Sequence, residues 1–411
     1  MDTTRPGGGT GGERREDIEL SRRDLLPAAL LGAGAMGLLA GAARAGPLNP
    51  PAGPVASSGR TLQEIYDKIT PGDPRTPVNA TTCPGDANAQ FIIATPGSYY
   101  MTASHTVSNK VVVRITASDV VLDLNGFTLH VATSNAPAVD CGPVTMVTVR
   151  NGVLRGQGGA NLTSAAAAVI ERLVVFGTSG TSIGAGKATV SDCRVTLAST
   201  TGACVSVGSE SLVQRCVCSG GGTGVATGSG SMIVDCEAIS AQATAAGGGF
   251  FLGNGGVIVR CLARQCGNGI LAGENCAVEA CNATGCTTGI SVGQFCRVIG
   301  CNTAGSISAG IAATNGSDIR DCTCIGDSLL ASGLAAINVT GSGSRIERNT
   351  TSGGRRGIRC TAAGNLIASN FCRGATGAGS PSANYDIVAG NDVGPITSAS
   401  SAISAWANIT F

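Results

Sequence analysis

Asn125, Asn151, Cys193, Cys216, Cys236, Cys261, Cys281, Cys301 and Cys322 recur about every twenty to twenty-six residues, Leu173 fills the one gap, and Asn349 and Asn370 carry the series on. A unit of that length cannot bury its own apolar face. It must stack on copies of itself, so the chain has to be a solenoid.

The unit is plainest at Gly269-Ile270-Leu271-Ala272-Gly273 with Asn275 to Cys281, and at Gly289-Ile290-Ser291-Val292-Gly293 with Phe295 to Cys301. Each reads as a Gly-Ile-x-Val run, a corner, a second short run ending in the recurring residue, and a third run closing on glycine. Three strands of four or five residues, at ~3.3 Å per residue, make one triangular coil. Apolar residues alternate with period two, and no stretch after residue 70 sustains a helical period. An Asn at a stacked corner satisfies its amide on the next Asn, whereas Cys fills the same slot as a small apolar group.

Pro96-Gly97-Ser98-Tyr99-Tyr100-Met101 and Val121-Leu122-Asp123-Leu124-Asn125-Gly126-Phe127-Thr128-Leu129 open the series. With these segments and the Gly-Ile-x-Val repeats, the chain resembles the right-handed parallel β-helix proteins of the pectin-lyase-like superfamily, in its bacterial branch, over roughly residues 91 to 395. The resemblance implies an all-β, single-stranded, right-handed parallel β-helix of about eleven or twelve rungs. It leaves activity open, because the superfamily includes lyases, hydrolases, epimerases and adhesins.

Composition fits a narrow solenoid: Gly is 62 of 411, aromatic residues 3% and charged residues 13%. With 43% hydrophobic residues the chain is not disordered, and a net charge of +1 with lysine only at Lys68, Lys110 and Lys187 gives no nucleic-acid footprint.

The first 45 residues read as an address. Ser21-Arg22-Arg23-Asp24-Leu25-Leu26 resembles a twin-arginine export motif, Pro27 to Ala43 is an apolar run, and Ala43-Arg44-Ala45 is a small-x-small cleavage site. The expectation is a periplasmic or extracellular protein with no membrane segment after processing. Residues 46–60 read as linker and 61–90 as an N-terminal cap region, in which Thr61-Leu62-Gln63-Glu64 opens a short capping helix through Ile69. Residues 91–382 form the β-helix and 383–411, with the single Trp406, a C-terminal cap.

The cysteines follow the rung rather than zinc spacing, and only His105 and His130 could join them. Core packing is therefore the expectation, with no metal and no cofactor. Most of the thiols are expected to stay free, since a twin-arginine substrate folds before it meets an oxidant.

In the enzymes of the superfamily the substrate lies across the Gly-Ile-x-Val sheet, with carboxylates on neighbouring rungs as acid, base or calcium ligands. The outward residues of that sheet here run Asp140, Gly184, Ser206, Ala226, Phe251, Leu271, Ser291, Ala312, Asn338 and Arg359. The two charged ones stand ten rungs apart, ~48 Å at ~4.8 Å per rung, so they cannot share a site. A second column, Arg150, Arg172, Asp192, Arg215, Asp235, Arg260, Ala280, Gly300, Asp321 and Arg348, alternates in sign from Arg172 to Arg260 and reads as a solvated ion-pair ladder.

Two groups remain as candidate sites: Asp119, Asp123, Asp140, His130 and Arg150 early, and Asp318, Asp321, Asp327, Arg345 and Glu347 late. Of these, Asp318, Asp321 and Arg345, then Asp140, are the catalytic candidates. Asp123 is expected to serve a turn, and the excursions Ala241 to Gly249 and Asp327 to Leu334 are the loops able to wall a cleft. The reading is an exported scaffold that is structural or binds an extracellular glycan or surface component. The alternative is a polysaccharide lyase, epimerase or glycoside hydrolase with a non-standard site.

Overall fold

Short parallel strands pair rung on rung along the whole of the described chain. The computed structural model describes residues 74–133, 136–156, 158–162, 167–241, 248–327, 335–375 and 384–411. The export signal, the linker and the Thr61 to Ile69 helix lie outside the described residues, as do 242–247 and 328–334 of the two excursions. Among the described residues, no helix is long and apolar enough to cross a membrane.

Each coil contributes one strand to each of three faces, as Asn268–Ala272, Ala277–Glu279 and Asn282–Thr284 do. The first face is a sheet of fourteen parallel strands from Ala89–Ile93 to Tyr385–Ile387, which is about thirteen turns. This extends beyond the eleven or twelve rungs countable in sequence, because Ala89–Ile93 and Val111–Ile115 precede the recurring column. The second and third faces form one network of twenty-eight strands, since Val147–Gly156 and Ala168–Gly177 run through the corner between them.

Inward residues are small and apolar: Ile270, Val278 and Ala283 are fully buried in one coil, and Cys276, Cys281 and Cys286 occupy its three corners. The even cysteine spacing therefore marks three different corners. All eighteen cysteines are buried free thiols.

A left-handed residue makes each tight corner. Arg172, Asp192, Arg215, Asp235, Arg260, Ala280, Asp321 and Arg348 all have φ between 51° and 57°, and the next residue turns into the core. That corner breaks the rung-to-rung pairing, and the stacked side chain repairs it. The N–H of Cys216 donates to Cys236 Sγ at 3.4 Å and that of Cys261 to Cys281 Sγ at 3.5 Å. Further along, the N–H of Cys322 donates to Asn349 Oδ1, that of Asn349 to Asn370 Oδ1 and that of Asn370 to Asn408 Oδ1, at 3.0, 3.0 and 3.1 Å. Sulfur thus stands where the amide oxygen stands, as an acceptor and not only as a filler. Asn408 extends the ladder into the C-terminal cap.

Two residues leave that ladder. Asn151 lies level with Arg172, between the pairs Arg150–Glu171 and Gly152–Leu173, and itself has φ 57°, so Gly152 and Leu173 are the true neighbours of Cys193; Asn125, at φ 51°, is likewise a turn residue. Arg150 correspondingly belongs to the strand, level with Asp123 and Glu171. The reason is that Asn suits both the left-handed corner and the stacked slot, so identity alone does not separate adjacent columns.

Candidate functional site

The outward column of the first face is continuous in register. Arg114 pairs with Asp140, Asp140 with Asn161 and Asn161 with Gly184. Ser206, Ala226, Phe251, Leu271, Ser291, Ala312, Asn338 and Arg359 follow rung by rung to Asp386. The period-two reading of this sheet therefore stands, with Arg114, Asn161 and Asp386 added.

These additions change its chemistry. Asp140 Oδ2 lies 3.6 Å from Arg114 Nε, and Asn161 Nδ2 donates to Asp140 Oδ1 at 3.0 Å. Arg114 also reaches Asp86 at 4.0 Å, while the N–H groups of Asn88 and Ala89 donate to Asp86 at 2.7 Å and hold its carboxyl below the usual range. Beside this trio the sheet sinks into a depression of about 630 Å³ lined by Pro137, Gly158, Asn161, Thr181, Gly184 and Ser206. Glycine at 158 and 184 opens that space. At the other end, Arg359 and Arg356 both reach Asp386, at 3.4 and 2.9 Å.

The remaining early candidates do not converge with Asp140. Asp123 lies on the second face, 6% exposed, and accepts from the N–H of Asn125 at 2.9 Å, which is the turn role expected of it. Its burial raises the carboxyl, but that bond, the Asn151 amide and the charges of Arg150 and Arg75 more than offset it. His130 sits on the third face, and Asp119 at a corner with φ 56°.

The late candidates form an ion-pair lattice. Asp321 is a corner residue clasped by Arg348 at 2.8 and 2.9 Å, the same fork that joins Arg215 to Asp192 and Arg260 to Asp235. Asp318 and Arg345 are register partners on the second face, Asp318 pairing with Arg320 at 2.8 Å and Arg345 with Glu347. A general acid needs a raised carboxyl. Asp321 is the reverse: the hydrogen bond from Arg348 holds it below its ordinary value.

The carboxyl that burial does raise is Asp327. It is 0% exposed and occupies the third corner ladder after Cys266, Cys286 and Ser306. Thr303 Oγ1 donates to its Oδ2 and the N–H of Ser306 to its Oδ1, each at 2.6 Å. A group enclosed by the coil cannot meet a polymer. Among the described residues, no three His, Cys, Asp or Glu side chains converge as a metal site.

Three faces of parallel strands closed by side-chain ladders define a parallel β-helix. Residues 179–323 match the family model described as right handed beta helix region. No curated protein matches the chain significantly. Among solved structures, the A-module of mannuronan C-5 epimerase AlgE6 from Azotobacter vinelandii aligns with 73% of this chain and 91% of its own, at 12% identity and TM-score 0.42. The A-module of AlgE4 from the same organism aligns with 71% and 89%, at 12% identity and TM-score 0.30. The catalytic unit of a GH87 α-1,3-glucanase from Streptomyces thermodiastaticus aligns with 78% and 69%, at 12% identity and TM-score 0.33.

Proposed function

We propose that the chain is an exported binding scaffold whose first face holds an extracellular glycan at Arg114, Asp140 and Asn161. One observation carries this reading over an enzymatic one. The corner carboxylates Asp192, Asp235 and Asp321 are held down by arginine forks, and the raised carboxyl of Asp327 is sealed in the core. The first face offers instead a charged and amide-bearing trio beside an open depression. Sugar hydroxyls are met there by paired donors and acceptors at the rim of a groove.

The test is a screen of the purified protein against acidic and neutral polysaccharides, reading retention and released or unsaturated product together. Asn161→Ala and Arg114→Ala are each expected to weaken retention on the order of tenfold, about 1.4 kcal/mol, with circular dichroism unchanged and no product at any stage. Depolymerisation that disappears in Asp321→Ala would falsify the scaffold. Export rests on the arginine pair of the leader: with Arg22 and Arg23 both changed to Lys, precursor is expected to accumulate in the cytoplasm. Normal export of that variant removes the twin-arginine reading.

A further inference from the structure

Phe251 stands outward at the middle of the first face, 44% exposed, in a chain whose aromatic content is 3%. Other exposed phenyl rings on the described chain have a local partner. Arg155 lies 5.0 Å from the centre of the Phe176 ring, Phe411 packs against Phe371 with the rings tilted and their centres 5.1 Å apart, and the Phe295 ring lies over Gly316. Phe251 has no ring or cation partner among the described residues, and its outward neighbours are Ala226 on one side and Leu271 on the other. Phe251 and the partly exposed Leu271 together make the one apolar stretch of an outward column that is small or polar elsewhere from Arg114 to Asp386.

Its position links it to the trio. Asn161, Gly184, Ser206, Ala226 and Phe251 are successive register partners, so four rungs separate the amide from the ring, ~19 Å at ~4.8 Å per rung. The three residues between them are glycine, serine and alanine, which leave the track unobstructed. On the two strands that follow that of Phe251, Asn268 and Thr288 are register partners and partly exposed, three residues before Leu271 and Ser291. An apolar platform bordered by hydrogen-bonding side chains fits a pyranose, which has a C–H face and a hydroxyl edge.

We propose that the ligand is an extended glycan lying along the solenoid axis, held at one end by Arg114, Asp140 and Asn161 and at the other by one sugar ring seated on Phe251 and Leu271. This rests on the glycan-binding reading above and specifies its ligand as a chain long enough to reach both points. A single sugar or disaccharide occupies one point only. A longer chain engages the second without a new encounter, so affinity rises in a step once the chain spans the gap.

Calorimetric titration with linear oligomannuronates and linear gluco-oligosaccharides, from disaccharides to long oligosaccharides, tests it. In the unmodified protein, one series is expected to show the step. Phe251→Ala removes it, lowering the affinity of long chains on the order of tenfold and leaving the disaccharide unaffected, while Phe251→Trp retains it. Asn161→Ala weakens every length. Long-chain affinity unchanged in Phe251→Ala, or affinity independent of length, overturns the two-point ligand while the trio stands. Absence of binding at every length in both series overturns it together with the glycan reading.

Discussion

Replacement of Cys281 by Asp is expected to destabilise the protein by about 3–5 kcal/mol at neutral pH, against a marginal total for a domain of this kind. Cys281 is fully buried in the middle of the ladder, where its sulfur accepts the N–H of Cys261 and lies 3.3 Å from the carbonyl of Glu279. A carboxylate there has one backbone donor, and the Arg260 guanidinium that bears on it is already clasped by Asp235 at 2.7 and 2.8 Å. Its folded-state pKa is therefore raised, so the penalty is absent below the unfolded pKa of about 4 and grows as pH rises through the folded value. Cys281→Ala leaves the Cys261 N–H unpaired and should cost about 1–3 kcal/mol. Cys281→Ser should cost least, because serine already fills the equivalent slot at another corner. There the N–H of Ser211 donates to Ser231 Oγ and that of Ser317 to Ser344 Oγ, both at 3.1 Å. Urea unfolding of the three variants at neutral and acidic pH measures the order, and a Cys281→Asp variant as stable as the parent would mean that the ladder does not face inward.

The coil was legible in sequence because its two periods are strong. Alternation with period two places the residues from Asp140 to Arg359 on one column, and the structure keeps that register, although Asn338 within it is buried rather than exposed. Adjacent columns at a corner are harder to separate. Asn151 satisfies the demands of both the left-handed position and the stacked slot, and only the backbone angle distinguishes them. The binding trio escaped for a different reason. Arg114 precedes the recurring series and Asn161 stands in Gly158-Gly159-Ala160-Asn161, which lacks the Gly-Ile-x-Val signature. Counting one rung back and one rung forward from Asp140 would have found both. Asp318, Asp321 and Arg345 looked like a candidate site because acids and bases cluster there in sequence. The same composition is what a ladder of forked ion pairs requires, and distances rather than residue types decide between the two.

Asp327→Asn is expected to stabilise the folded protein at neutral pH, by a few kcal/mol at most, since an enclosed carboxylate without a cation carries an effective penalty of about that order after its hydrogen bonds are counted. The carboxyl accepts from Thr303 and from the N–H of Ser306, and both bonds favour its ionised form; burial opposes ionisation and prevails, so the folded pKa is raised. The other titratable groups that bear on it are the thiols Cys286 and Cys324, and neither supplies positive charge. The sign follows. Below the unfolded pKa of about 4 the carboxyl is protonated in both states, and the variant and parent differ little. As pH rises through the folded value the parent loses stability, whereas the amide does not titrate. The gap between them should therefore open above pH 4 and become constant once the folded group has ionised. Asparagine also suits the slot, because its oxygen can still accept the Ser306 N–H as Asn349 and Asn370 do for their rungs. Chemical unfolding of both proteins across that range reads the gap directly, and a variant that loses stability at neutral pH would show that the carboxylate is held by a positive group or that it reaches solvent.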